Sequence, residues 1–141
     1  MATFVPFEVF SEDLASGVHD FSTHGLKLYL TNTAPDSAAD AVLADLPTEL
    51  ANGNGYVTGG LTLDSIVLSR SGADSKVSIA DEVMTATDAV GPFRYAVLYN
   101  STASGGPLIG YWDRGSSLNL VADDTFTMNF DDAAGVLVFD A

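Results

Sequence analysis

The chain has 141 residues and a mass of 14.7 kDa. Surface scaling predicts that a chain of this mass buries about two-thirds of its surface on folding, enough for one core. We therefore expect a single domain spanning residues 1–141. Nineteen acidic and five basic residues give a net charge of −14, which repels phosphate and argues against a nucleic-acid partner. An apolar fraction of 47% excludes a disordered acidic tail.

Cysteine chemistry and membrane insertion are also excluded by composition. The chain has no cysteine, so it forms no disulfide, thiol nucleophile or cysteine-based zinc site. The first residues lack the basic and apolar regions of a signal peptide. The longest apolar runs have about six residues, too few to cross a membrane. We expect synthesis in the cytoplasm and no membrane partner.

The first 20 residues have the features of an N-terminal arm. Five large apolar side chains lie within seven positions and are the candidate interface residues: Phe4, Val5, Phe7, Val9 and Phe10. Pro6 interrupts them and favours an edge strand or an extended arm over a central strand. Two interpretations remain open here: the segment packs on the domain's own core, or it packs on a neighbouring subunit.

Two short helices are predicted. Residues 11–16 can form a helical turn capped by Ser11 and ended by Gly17. Residues 37–46 contain good helix formers, with Asp36 or Ser37 as the cap and Pro47 as the stop.

Strands dominate the rest of the chain, because apolar and polar residues alternate with period two. Phe93, Tyr95, Val97 and Tyr99 are predicted to share one face. Glycine-rich and Asn/Asp-rich turns separate the strands. This pattern predicts an all-β fold, a jelly-roll-like antiparallel β-sandwich of about eight strands with one or two short helices. The predicted strands lie in residues 26–31, 61–68, 76–79, 93–100, 108–112, 118–120, 125–130 and 136–139.

The residues that could carry chemistry do not form a recognisable pattern. His19 and His24 are five apart, which fits neither a zinc-binding helix face nor one face of a strand. We interpret both as turn or surface residues. Residues 53–60 are glycine-rich but lack the lysine of a phosphate loop, and are interpreted as a turn leading into a strand. We predict no catalytic residue, no cofactor and no metal ligand.

Acidic clusters and aromatic residues have simple interpretations too. Asp123–Asp124, Asp131–Asp132 and the aspartates at 36, 40 and 45 are interpreted as solvated loop ends rather than a calcium site. Trp112 and its neighbouring tyrosines could form a sugar-binding platform, but half-buried packing on strands is the more common role of such residues.

Several segments together resemble a family of small virion proteins from tailed bacteriophages. The similarity covers most of residues 17–139, and the Gly-Tyr-x-x-Gly-Gly element of residues 55–60 is its most specific part. The segments that carry it are 17–20, 26–31, 46–50, 52–60, 94–100, 108–117 and 135–137. The chain is most similar to the jelly-roll cement, or decoration, proteins of short-tailed phages such as those of Bordetella.

The resemblance implies a structural role without catalysis. Such proteins bind the outside of an icosahedral capsid and bridge major capsid subunits. The implied partners are the major capsid protein and further copies of the chain, as a dimer or trimer, and the implied location is the capsid exterior. Alternatives are a tail or head-fibre component and a carbohydrate-binding β-sandwich module.

Overall fold

The structure is a computed structural model, and it describes residues 3–130 and 135–139. The fold is all-β with antiparallel sheets, as the alternating pattern predicts. The described residues form ten strands, one α-helix (α1, Val9–Ala15) and one 3₁₀ helix (Leu43–Asp45). The strands are β1 (Phe4–Pro6), β2 (Leu26–Thr31), β3 (Leu61–Thr62), β4 (Val67–Ser71), β5 (Asp74–Ser78), β6 (Glu82–Thr85), β7 (Val90–Asn100), β8 (Leu108–Leu120), β9 (Thr125–Met128) and β10 (Leu137–Phe139).

The strands form one large sheet and two small ones. The large sheet has the order β1-β8-β7-β2-β3, and the small sheets have the orders β10-β5-β4 and β6-β9. One hydrophobic cluster joins them, because it includes Leu28 and Leu98 of the large sheet, Val77 and Leu137 of the three-stranded sheet, and Met84 of β6. The two layers of a sandwich are therefore present. The jelly-roll connection of the strands stays a prediction.

The opposite face of the large sheet is also covered. Phe7, Tyr29, Val97, Tyr99 and Leu108 form a second cluster there, and Leu43 and Leu46 pack against it. Burial on both faces explains why β7 contains the nearly continuous apolar run 95–99, all of it buried.

One of the two predicted helices is wrong. Residues 37–46 form a turn followed by the 3₁₀ helix rather than an α-helix. Asp36 makes the bonds of the predicted N-cap, since its carboxylate accepts from the N–H groups of Ala38 and Ala39. Asp45 explains the difference, because its carboxylate accepts from the N–H groups of Ala41 and Val42, which in a continuous helix would bond to carbonyls four residues earlier.

The predicted helical turn of residues 11–16 is confirmed as part of a longer helix. α1 begins at Val9, two residues earlier than predicted, and its N-cap Glu8 makes no side-chain capping bond. Gly17 has φ +84° at its C-terminal end, which is the conformation that glycine adopts there most readily.

Irregular pairing between β7 and β8 changes one predicted face. The register shifts between Phe93 and Tyr95, and such an irregularity re-aims the side chains on either side of it. Phe93 consequently packs in the main cluster with Ala96 and Leu98, not with Val97 and Tyr99.

Candidate binding surface

The predicted interface residues lie on the chain's own domain. β1 pairs with β8, which places Phe4 opposite Trp112 and Val5 opposite Tyr111. Two backbone hydrogen bonds hold the residues that follow β1. The N–H of Phe7 donates to the carbonyl of Ile109 (3.1 Å), and the N–H of Glu8 donates to the carbonyl of Ser37 (2.9 Å). The segment is an edge strand, one of the two possibilities that Pro6 favoured.

These five residues differ in exposure. Phe7 and Phe10 are buried, at 1% and 8% exposure, whereas Phe4, Val5 and Val9 are half-buried. The Phe4 ring lies 4.8 Å from the Trp112 ring, centroid to centroid. In this conformation Phe7 serves mainly the core, and its placement as a partner contact stays a prediction.

A groove lies between this segment and β10, and we call it the terminal groove. Its volume is about 490 Å³. It is lined by Phe4, Pro6, Phe7, Glu8, Phe10, Ser11, Val136, Leu137, Val138 and Phe139. Three of the five predicted interface residues, Phe4, Phe7 and Phe10, therefore contribute to one apolar concave surface. Val5 and Val9 do not line it.

Two exposed valines lie on the outer face of the three-stranded sheet. Val138 is 51% exposed and lies opposite Lys76 of β5. Val67 on β4 is 50% exposed, and the alternation of strand faces puts it on the same side as Val138. Lys76 and Ser78 of β5 lie between the two valines on this face, so the apolar surface does not extend across the sheet. The candidate binding surface is therefore the terminal groove, whose lining includes the exposed Val138.

Both histidines lie in the loop between α1 and β2, but the prediction that they are turn or surface residues did not include the burial of His19. His19 is only 7% exposed. Its ring stacks on the Phe21 ring, with the centroids 5.6 Å apart, and its centroid lies 5.3 Å from that of the Phe10 ring. His24 is half-buried. Both Nδ1 atoms lie within hydrogen-bond distance of Asn100, which is fully buried at the end of β7.

The sequence analysis did not single out Asn100, whose two histidine partners are distant in the chain. The useful signal was a polar residue directly after the apolar run of β7. There its Oδ1 accepts hydrogen bonds from the N–H groups of Thr102 and Ala103, both at 3.0 Å. It thereby holds the turn that follows β7.

The glycine-rich stretch is a turn leading into a strand, as predicted, and it surrounds a buried tyrosine. Tyr56 is 1% exposed. Its hydroxyl accepts a hydrogen bond from the N–H of Leu30 (3.1 Å) and donates one to Glu49 (2.7 Å). Glu49 also accepts from the N–H of Gly59 (2.7 Å). This network attaches residues 49–59 to β2.

The other predicted sites have structural roles. Trp112 is 5% exposed and packs between Phe4 and Phe130, so its ring offers no sugar platform. Within residues 3–130 and 135–139, no three His, Cys, Asp or Glu side chains are grouped closely enough to hold a metal ion. Asp124 accepts from the N–H of Val121, which is a turn contact. Asp131–Asp132 lie outside the described residues.

Comparisons of the chain with protein-family models, with curated proteins and with solved structures found no match. The resemblance to phage decoration proteins therefore stays a prediction. A separate search of the described residues found no helix long and apolar enough to cross a membrane.

Proposed function

We propose that this protein is a capsid decoration protein, which binds the outside of a phage capsid and bridges its major capsid subunits. The observation that carries the proposal is the terminal groove, an apolar concave surface whose lining includes the exposed side chain of Val138. Exposed apolar surface of this kind marks binding sites on folded proteins.

The groove predicts the chemistry of its partner. Apolar residues form most of the lining, so the matching part of the capsid subunit is an apolar protrusion. Glu8 is the one charged residue among the lining residues of the described chain. Together with the net charge of −14, it favours a basic rim on the partner.

The charge also fits an address outside the shell. The interior of a filled capsid holds densely packed DNA, which repels an acidic protein. On the outer lattice, each contact can be modest because many copies bind subunits that are already held together.

The test is rebinding of the purified protein to capsids that lack it. We expect about one copy for each major capsid subunit, measured by sedimentation and gel densitometry. A dozen copies or fewer for each particle would move the protein to the tail or to fibres. Retention on a glycan array without capsid binding would replace the proposal with the carbohydrate-binding alternative.

A matched pair of variants locates the contact. Val138→Ser removes an exposed side chain of the terminal groove, and we expect the capsid affinity to fall about tenfold, equivalent to 1.4 kcal/mol. Val83→Ser removes a side chain of similar exposure, 54%, on β6, which does not line the groove, and should leave binding unchanged. Equal affinities of the two variants would place the contact elsewhere.

A further inference from the structure

Asn100 lies between two histidines that come from a different part of the chain. Its Nδ2 atom is 3.1 Å from Nδ1 of His19 and 2.9 Å from Nδ1 of His24. The loop that holds both histidines connects α1 to β2. One buried amide group therefore fastens this loop to the end of β7.

The surrounding hydrogen bonds fix which atoms donate. Because Oδ1 of Asn100 accepts from two backbone N–H groups, the amide cannot be turned around without losing both bonds. Nδ2 then donates its two hydrogens to the two histidines. Nδ1 of His24 also accepts from the N–H of Asp20 at 3.2 Å. Both Nδ1 atoms act as acceptors, so both rings are neutral and carry their hydrogen on Nε2.

The environment of His19 disfavours a charge. The ring lies between Phe10 and Phe21, and within the described residues its buried Nε2 has no hydrogen-bond partner. Burial lowers the pKa of His19 below 6.5, the nearby His24 lowers it further, and Asp13 of α1 opposes the shift. Asp20 is the other charged group that faces the pair, through His24. Asn100 and the turn of residues 101–103 contribute no charge.

We propose that His19, His24 and Asn100 form an acid-sensitive latch. When both rings are neutral, the latch holds residues 17–25 against the end of β7. When Nδ1 of either ring is protonated, its N–H group faces the Nδ2–H of the Asn100 side chain, which needs an acceptor at that place. Because two donors then face each other, the loop is released. Phe10 contacts His19 and also lines the terminal groove, but the latch does not depend on the proposed function.

The direction of the pH dependence follows from the His19 environment. In the native state this ring loses its proton more readily than in the unfolded chain. Between the two pKa values the unfolded chain binds more protons, so the closed latch is favoured above pH 6.5. It weakens as the pH falls from 6.5 through the lower native pKa, and changes no further below that.

The first test determines the tautomers of the wild-type protein. Long-range ¹H–¹⁵N NMR at pH 8 should show both histidines without a proton on Nδ1. A proton on Nδ1 of either ring would overturn the latch, whatever the behaviour of any variant.

The second test measures release by hydrogen exchange at pH 7.5 and pH 5, corrected for the intrinsic exchange rate. Two hydrogen bonds join the loop to the turn after β7. The N–H of Gly25 donates to Oγ1 of Thr102 (2.8 Å), and the N–H of Ser101 donates to the carbonyl of Gly25 (3.0 Å). We expect their protection to fall about tenfold at pH 5, equivalent to 1.4 kcal/mol. The N–H of Leu28 in β2 should change less. Equal protection at both pH values would contradict the latch.

The variant Asn100→Asp should reverse the direction in which loop protection changes with pH. One oxygen of the new carboxylate still accepts hydrogen bonds from the backbone N–H groups of residues 102–103. The other oxygen replaces the amide NH₂, so it cannot donate to a neutral histidine ring, but it can accept a hydrogen bond from a protonated one. We expect the His19 pKa to rise above 6.5 and the loop protection to increase in acid. Asn119→Asp makes the same change at an exposed site and should behave as wild type. The latch would be overturned if acid lowered the loop protection of Asn100→Asp as it does that of the wild type. If this variant does not fold at neutral pH, the tautomers of the wild-type histidines decide.

Discussion

Tyr56 shows how a single side chain can substitute for a neighbouring strand. The loop that contains Tyr56 lies near the end of β2. There the backbone N–H of Leu30, which does not pair with a neighbouring strand, donates a hydrogen bond to the Tyr56 hydroxyl. Burial raises the pKa of Tyr56 well above its ordinary value of 10, and the hydrogen bond to Glu49 adds to this shift. The hydroxyl is therefore protonated at neutral pH, where it donates to Glu49.

Replacing this hydroxyl has a predictable cost. Tyr56→Phe leaves the buried Leu30 N–H without an acceptor, and we expect the free energy of unfolding to fall by about 1–3 kcal/mol. Urea unfolding followed by circular dichroism measures the change. Tyr111→Phe is the control, because its hydroxyl makes no hydrogen bond within the part of the chain that the structure describes. Equal stability of wild type and Tyr56→Phe would show that water can replace the hydroxyl.

At the residue scale, sequence alone predicted little of this. Leu30, which donates to Tyr56, lies 26 residues away in the chain, and the histidines that face Asn100 lie 81 and 76 residues away. No local pattern encodes such a pairing. Periodicity reports which side chains are buried by their own strand. His19 falls in a loop between two glycines, where there is no period to read, so its burial could not be predicted.

β1 depends on a glycine in the neighbouring strand. Gly110 of β8 lies beneath the ring of Phe4, so closely that an added Cβ would be 2.2 Å from Phe4 Cζ. Since side-chain atoms do not approach one another to that distance, only glycine at this position allows Phe4 to lie against Trp112. The residue thereby fixes the position of one wall of the terminal groove.

We expect Gly110→Ala to displace β1. The methyl group forces the Phe4 ring away from its site, at a cost typical of overpacking, about 1–3 kcal/mol in the free energy of unfolding. Hydrogen exchange should show lost protection at residues 4–6, with β2 unchanged. Gly25→Ala is the matched control, because its added Cβ would have its nearest neighbour at 3.4 Å. Unchanged exchange at residues 4–6 would show that Phe4 moves aside without cost.

At the element scale the sequence predicted more. The alternating segments at 26–31, 76–79 and 125–130 correspond to β2, β5 and β9. β6 (Glu82–Thr85) was missed because Val83 and Met84 are adjacent apolar residues, so the segment does not alternate, although only Met84 is buried. The α-helix of residues 37–46 was wrong because helix propensity ignores carboxylates that capture backbone N–H groups. The face of Phe93 was wrong because a period of two holds only until the register shifts.

Over the whole molecule, repulsion between acidic groups opposes folding. The chain carries a net charge of −14, and none of the acidic residues that the structure describes is buried. The ion pair between Arg94 and Asp113 offsets part of the repulsion, with Nε to Oδ1 at 2.7 Å and Nη2 to Oδ2 at 3.1 Å. The Arg94 guanidinium lowers the pKa of Asp113. Both side chains are more than a third exposed, so the pair is screened by water.

Salt should therefore stabilise the protein. Raising NaCl from 0.01 to 0.1 M shortens the screening length from about 30 Å to about 10 Å, which weakens the repulsion. We expect a gain of about 1 kcal/mol, or roughly 4 °C in Tm by calorimetry. The double variant Arg94→Gln/Asp113→Asn keeps the net charge and should respond equally. A Tm that falls with salt would mean that attractive pairs outweigh repulsion.

The two walls of the terminal groove come from opposite ends of the described sequence, residues 4–11 and 136–139. A nascent chain on the ribosome cannot form the groove until residue 139 has been synthesised and has left the exit tunnel. Chains that stop earlier would lack the second wall. The proposed binding through the terminal groove therefore requires a chain whose translation has passed β10.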